Sequence, residues 1–269
     1  MPELPEMETY RKLLTEKISG RRITRVMINR EKSVNLPVAA FVDAVQQRSL
    51  LSVERRAKHL LFRLDNGTVL LLHLMLGGFL YYGSQQEKLD RTAQVVLCFG
   101  EDKLFFHGLR LGYLHLLSTD AVDEKLDPLG PEPLALSFDE QSLRQRLVGK
   151  RGMLKPTLTD QSFIAGIGNC YSDEICFQAQ LKPMRKCNQL QEGDIARLYR
   201  SITGVLTKAV SLGGYMENPL FAGDSLTGGY NRHCLVYDRE GEPCLRCGSP
   251  IRREKLSARK TFFCPVCQA

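Results

Sequence analysis

The spacing of apolar residues changes twice along this chain. Over residues 5–19, Met7, Tyr10, Leu13, Leu14 and Ile18 fall on one stripe, which predicts an amphipathic helix. Pro5 suits its first turn, Glu6 and Glu8 complement the helix dipole, and Gly20 is placed to end it. From residue 22 to 118 the pattern becomes a series of short apolar or β-branched runs, at 23–28, 50–56, 59–64, 68–76, 93–99 and 103–117. Asp65-Asn66-Gly67 and Gly100-Glu101-Asp102 read as tight turns between them, and a short helix fits 38–47. Helical spacing returns at 138–148, 171–179 and 192–212. The order predicts an α+β chain, with an N-terminal β-sandwich flanked by helices and a C-terminal helical domain.

Punctuation sets the expected boundaries. The Pro- and Gly-rich stretch DPLGPEPLA, 127–135, reads as an interdomain linker. This divides the chain into a sandwich domain 1–126, a linker 127–136, a helical domain 137–232 and a C-terminal finger 233–269. Residues 217–232 are polar with three glycines and read as a mobile loop, either inert or a lid.

Composition narrows the class. With 269 residues, 43% of them hydrophobic, the chain has enough material for two cores. The net charge of +7 is a mild bias towards polyanions. No run of about 18 apolar residues is present, so no membrane span is expected. The acidic N-terminus lacks the basic and apolar regions of a signal peptide. Nine cysteines without a secretion signal suggest a reducing compartment, with thiols or metal ligands in place of disulfides. Four of them give the most specific local signal. Cys244-x2-Cys247, sixteen residues, then Cys264-x2-Cys267 matches a four-thiolate structural zinc site on two knuckles. Seven Lys/Arg against three Glu between Arg239 and Lys260 make this hairpin basic, as suits a nucleic-acid backbone. Cys98, Cys170, Cys176, Cys187 and Cys234 lack such spacing and are expected as buried thiols.

Reactive chemistry is suggested at the very start. If Met1 is removed, Pro2 presents a secondary amine, and an α-amino group titrates near ~7.7–8.0. Attack of that amine on an aldehyde-level carbon gives an iminium cation, and Glu3 beside it is a candidate acid or base. A frayed terminus is the bland alternative, which the helix that follows weakens. Lys58, between two strand runs, reads either as an edge-strand solubility lysine or as a functional amine. Gly166-x-Gly168-Asn169 precedes a helix and is either a plain connection or a phosphate-approaching turn.

Taken together, MPELPEME, RRAKHLLF, LKPTLTDQSFIAGIGNCYSDEI and VYDREGEPCLRCGSPI…SARKTFFCPVCQ resemble the formamidopyrimidine-DNA glycosylase / endonuclease VIII family over essentially the whole chain. The resemblance implies a helix–two-turn–helix element, one structural zinc, and double-stranded DNA with damaged bases or abasic sites as partner. It implies a bacterial, cytoplasmic, nucleoid-associated monomer with DNA glycosylase and AP-lyase activity. By its motifs, Pro2 looks like the nucleophile, Glu3 the acid/base that opens the sugar, and Lys58 the lysine assisting β and then δ elimination. Asn169 and Arg259 look like phosphate clamps, and Lys155 like a lysine near the DNA. Where family members place Met, Arg and Phe to fill the gap of the flipped base, this chain has Leu76, Leu109 and Leu111. Arg110, next in the run, is expected on the opposite strand face. An aliphatic wedge leaves lesion and partner-base preference open. The competing readings are a non-catalytic binder of damaged or structured DNA, and a glycosylase redirected to bulky or crosslinked lesions.

Overall fold

The computed structural model describes residues 1–84 and 92–269. The chain forms two compact units: Met1–Pro128 with Leu212–Gly229, and Leu129–Ser211 with Tyr230–Ala269.

The first unit is a sandwich of two four-stranded antiparallel sheets. Its strands are β1 (Arg25–Ile28), β2 (Leu50–Arg56), β3 (His59–Leu64), β4 (Thr68–His73), β5 (Phe79–Ser84), β6 (Val95–Phe99), β7 (Asp102–His107) and β8 (Tyr113–Ser118). They run in the orders β1-β6-β7-β5 and β2-β3-β4-β8. Alternate residues of β3 and β4 pair as Leu60↔Leu72 and Phe62↔Leu70 and face the core. There Phe62 meets Phe106 of the other sheet edge-on, ring centroids 6.1 Å apart. The helices α1 (Leu4–Ile18) and α2 (Val38–Val45) pack on this sandwich, and α3 (Thr119–Leu126) contacts β4 and β8. Leu61, Val69 and Leu71, on the opposite face from the core pairs, are buried as well. Burial on both faces explains why HLLFRL and TVLLLH read as nearly continuous apolar runs, a pattern usual in sheets covered twice.

The predicted run 103–117 is two strands, β7 and β8, broken at 108–112. Two glycines make the break. A Cβ on Gly108 would lie 2.1 Å from the Gly77 carbonyl oxygen, and one on Gly112 would lie 2.3 Å from that of His73. The chain at 108–112 therefore runs against 73–78 at a distance no side chain permits.

The second unit is helical, with a hairpin. It contains α4 (Glu140–Leu147), α5 (Leu154–Leu158), α6 (Asn169–Gln178), α7 (Glu192–Ser211), β9 (Arg252–Leu256) and β10 (Arg259–Phe263). Asp139 caps α4, its carboxylate accepting the Ser142 N–H at 2.8 Å. The hairpin turn is Ser257-Ala258, both with positive φ, 47° and 66°, as a two-residue turn of right-handed twist needs. Phe262, Val236, Ile251 and Phe177 form a small core behind the knuckles. The five remaining cysteines are buried, as expected. No described helix is long and apolar enough to cross a membrane.

The units divide differently from the expected boundaries. Residues 212–229, assigned from sequence to the helical domain, pack with the sandwich. Leu220 is fully buried in the sandwich core, and its carbonyl accepts the Tyr82 N–H at 2.5 Å. The Asp224 carboxylate accepts the backbone N–H groups of Leu220, Leu226 and Thr227. The stretch read as a mobile loop is thus fastened through most of its length, by one core leucine and one acid.

Candidate active site and metal centre

The chain start is held by polar bonds inside the first unit. Glu3 is the N-cap of α1 and is 1% exposed. Its N–H donates to Glu6 Oε2 at 2.8 Å, while Glu6 Oε1 accepts the Tyr215 N–H at 2.7 Å. A Cβ on Gly214 would sit 2.2 Å from that same Glu6 oxygen, so glycine admits the contact. The Tyr215 hydroxyl donates to the Met1 carbonyl at 3.4 Å. Pro2, between Met1 and Glu3, is buried.

Lys58 follows Ala57, whose φ of 52° makes the tight turn from β2 to β3. It is 5% exposed, far from the solvated edge lysine that was one expectation. Arg55 connects this turn to α1, donating to Glu8 Oε2 at 2.9 Å and to the Ala57 carbonyl at 3.1 Å. The first turns of α1 and the Lys58 turn are therefore neighbours. Near them, His59 and His73 pack ring against ring in a tilted arrangement, centroids 4.4 Å apart. Burial pushes both imidazoles down, His59 to about 3 and His73 to about 4. Mutual repulsion adds to the first shift, and the Lys58 charge to the second. Both rings are neutral at pH 7.

In the second unit a chain of hydrogen bonds joins Arg259 to the Gly166–Asn169 turn. Arg259 Nη1 donates to Thr159 Oγ1 at 2.7 Å. The Gln161 amide donates to the carbonyls of Thr159 and Ile167, both at 2.8 Å, and accepts the Gly166 N–H at 2.9 Å. Gly166 has φ 97°, and Asn169 opens α6, whose first N–H groups have no partner within the helix. Asn169 Oδ1 has no hydrogen-bond partner among the described residues. Arg259 of the hairpin and the turn that opens α6, distant in sequence, are thus tied together by side-chain hydrogen bonds.

Four sulfurs bound to one zinc at about 2.3 Å lie about 3.8 Å from each other. Here the four Sγ atoms of Cys244, Cys247, Cys264 and Cys267 all lie within 4.8 Å of one another. Cys244 and Cys267 are 3.9 Å apart, Cys247 and Cys264 3.5 Å. The donor set fits a tetrahedral structural zinc, and the zinc folds a hairpin too small to hold itself.

Comparison with known proteins agrees across the whole chain. The formamidopyrimidine-DNA glycosylase N-terminal domain matches residues 1–113, its H2TH domain matches 129–218, and the zinc finger found in FPG and IleRS matches 241–269. The formamidopyrimidine-DNA glycosylase of Pelotomaculum thermopropionicum is 37% identical over 273 residues, covering 100% of this chain and 99% of that protein. That of Heliobacterium modesticaldum is also 37% identical, over 276 residues and 100% of both chains. The solved complex of Lactococcus lactis Fpg with DNA containing an abasic site is 32% identical with a TM-score of 0.92, and covers 99% of each chain. The chain belongs to the formamidopyrimidine-DNA glycosylase family. It is a DNA glycosylase, with the AP-lyase activity of that family, and its four-cysteine finger is a structural zinc site.

Against this glycosylase background the leucines expected as a wedge part company. Leu76 and Leu111 are 74% and 68% exposed. Leu109 is fully buried in the sandwich core, which corrects the three-leucine wedge. An apolar side chain at that turn gains more by joining the core than by standing in water. Its backbone is fixed too, the N–H donating to Gln94 Oε1 at 3.0 Å. Arg110 lies in the turn between β7 and β8, so strand alternation does not govern it; it is exposed, like Leu111.

Lys155 also differs from expectation. It is 1% exposed, paired with Asp173 at 2.8 Å and donating to the Lys260 carbonyl at 2.8 Å. Asp173 Oδ2 accepts the Phe262 N–H as well, at 3.0 Å. Burial pushes the Asp173 carboxyl up, to about 7, against the pull of Lys155. Lys155 therefore braces β10 from behind and does not reach solvent. Beside Asp173, the fully buried Glu174 accepts the N–H groups of Leu235, Val236 and Tyr237 at 2.8–2.9 Å. Sequence reasoning missed this bracing. The available signal was two adjacent acids within a helix whose other residues are mostly uncharged, NCYSDEICFQ.

Proposed function

We propose that this family member excises damaged bases from duplex DNA through Pro2 and then nicks the strand at the resulting site. The observation that carries the reading is the chain start: Pro2 followed by a buried Glu3, fixed by Glu6 and Tyr215, with the buried Lys58 turn as neighbour. With Met1 attached the Pro2 nitrogen is an amide, so the active species begins at Pro2. The freed nitrogen then attacks C1′ of the flipped nucleotide with its lone pair, and the base leaves with the bonding electrons and takes up the proton that the Pro2 nitrogen gives up. Glu3 delivers a proton to the ring oxygen as the sugar opens, leaving an iminium between Pro2 and C1′. Loss of a C2′ proton expels the 3′ phosphate, and a second elimination expels the 5′ phosphate, with Lys58 beside the scissile groups. Water finally hydrolyses the iminium and frees Pro2.

Asn169 and Arg259 hold the backbone phosphates around the flipped nucleotide. The linked chain Arg259–Thr159–Gln161–Gly166 supports this, since it ties Arg259 to the turn that leads into Asn169. Lys155 contributes indirectly, by holding the strand that carries Arg259. Leu76 and Leu111 fill the gap left by the base, and the exposed Arg110 stands next to Leu111 in the chain as a candidate donor. Solved complexes of the Lactococcus lactis relative with abasic-site DNA and with Fapy-dG DNA support both DNA as partner and this lesion class. The bacterial relatives support a cytoplasmic enzyme working at the nucleoid, and we assign it a monomeric form.

Borohydride trapping on duplexes with an abasic site, oxidised purines, Fapy lesions and a crosslink tests the reading. A reduced covalent adduct mapped to Pro2 by mass spectrometry is expected. A crosslink at another residue, or none in protein shown to begin at Pro2, refutes it.

A further inference from the structure

The second unit has a pocket of about 440 Å³ at the other end of α6 from Asn169. Gln178, at the last turn of α6, lines it; nine residues at ~1.5 Å each put this about 14 Å along the helix from Asn169. The phosphate-clamp residues and the thiolates take no part in it. Arg197, Arg200 and Lys208 of α7 reach it from one face of the helix, and His233 from the segment after Gly229. No carboxylate lines it. Arg197 is already paired with Asp194, but Arg200 and Lys208 form no ion pair among the described residues. The pocket therefore favours an anion.

Two further features say which kind. Val205 and Leu235 give the pocket an apolar floor. Between the cationic residues stands Gly204, inside α7, where an added Cβ would meet nothing within 4 Å. A glycine inside a helix is destabilising relative to alanine, and packing at this position does not require it. What the missing side chain does provide is a notch open to a ligand. The one large ring in the lining, Tyr230, is 3% exposed and packs on Tyr171 at 5.6 Å, so no open face remains for a nucleobase to stack on.

We propose that this pocket binds an acidic peptide segment of a partner protein. Its carboxylates face Arg200, Lys208 and His233, and one of its apolar side chains enters the notch over Gly204 and rests on Val205 and Leu235. The glycosylase would thereby carry a docking point separate from its DNA-binding residues.

The test uses full-length, zinc-loaded protein and a fluorescein-labelled peptide, Glu-Asp-Glu-Leu-Asp-Glu, followed by anisotropy. Saturable binding is expected, lost when lysine replaces each acid and weakened when serine replaces the leucine. Arg200→Glu with Lys208→Glu, and separately Gly204→Leu, should each weaken it by about tenfold or more. Borohydride trapping on abasic DNA should stay within about twofold of the parent in both, since base chemistry and phosphate contacts lie elsewhere. Gly204→Ala controls for folding: it should melt no lower than the parent and still weaken the peptide measurably. No saturation in the millimolar range overturns the proposal. So does peptide binding that is unaffected by Gly204→Leu, which would mark diffuse surface attraction. Equal loss of abasic-DNA affinity in the charge-reversed variant would assign the pocket to the DNA surface and overturn it as well.

Discussion

The two units are stabilised by different means. The sandwich rests on hydrocarbon: Leu60, Phe62, Leu70, Leu72, Leu97 and Phe106 interlock between two sheets. Its buried acids, Glu3 and Glu6, sit at the start of α1, where the proposed chemistry lies. The helical unit with its finger places charges at the centre of its architecture. Lys155, Asp173 and Glu174 are all buried and clasp the finger's strand and entry segment, while four thiolates close its far end. The difference follows from size. A sheet pair encloses enough side chains to exclude water, whereas a short hairpin encloses almost none and must be held by metal and by charge-assisted bonds.

Zinc removal is the strongest way to separate the two units. Structural zinc contributes about 10–16 kcal/mol to folding of such fingers. Chelation should abolish DNA binding and the finger's circular dichroism signal while the sandwich transition persists in calorimetry. Fresh protein without one equivalent of zinc by elemental analysis would break the comparison.

Next comes Glu174. Glu174→Ala leaves three N–H groups buried without an acceptor and should cost about 3–5 kcal/mol in the helical unit's transition. Glu174→Gln keeps one acceptor oxygen and should cost less. In the sandwich, Leu72→Ala should reach a similar loss, about 2–5 kcal/mol, through a cavity alone. Denaturant melts of the three variants, read for which transition moves, check the assignment.

Arg259→Ala should weaken binding to every lesion duplex alike, by about 1.5–3 kcal/mol, and lower the salt slope by about one. An unchanged slope would show that Arg259 contacts no phosphate.

Acid should act first on the sandwich. The pKa values of His59 and His73 lie below the unfolded value of ~6.5, so the unfolded chain takes up protons first as pH falls. Stability is full above pH ~6.5 and declines towards pH ~4, by up to about 2 kcal/mol per ring at pH 5. Melting temperature against pH should show this slope, and His59→Gln should flatten it.

The smallest effect concerns the wedge. With Leu109 in the core, two exposed leucines and Arg110 remain to meet the partner base. Leucine offers no donor, so single-turnover rates for one lesion opposite each of the four bases should differ by less than about tenfold, or 1.4 kcal/mol. A preference of about a hundredfold for cytosine would refute the aliphatic wedge, and Arg110→Ala would then show whether Arg110, and not a residue in 217–232, supplies the donor.

The periodicity of the sequence determined most of the architecture. Stripes and runs located α1, α6, α7 and most of the sandwich strands, because each element's burial is written in its own neighbours. The cysteine spacing determined the zinc site for the same reason: a knuckle is a local object. β5, α3 and α5 were not legible, since none carries a distinctive period. The boundary at 212–229 was not legible either. It depends on Leu220 finding the sandwich core and Glu6 finding Tyr215, contacts between segments far apart in the chain. Only the tertiary structure decided that Leu109 turns inward, that Lys155 is a brace and that Gly204 opens a basic pocket. Residue type restricts what a side chain is able to do, but whether it meets water, a carboxylate or the core is set by segments far away in sequence. Those long-range contacts leave no period to read.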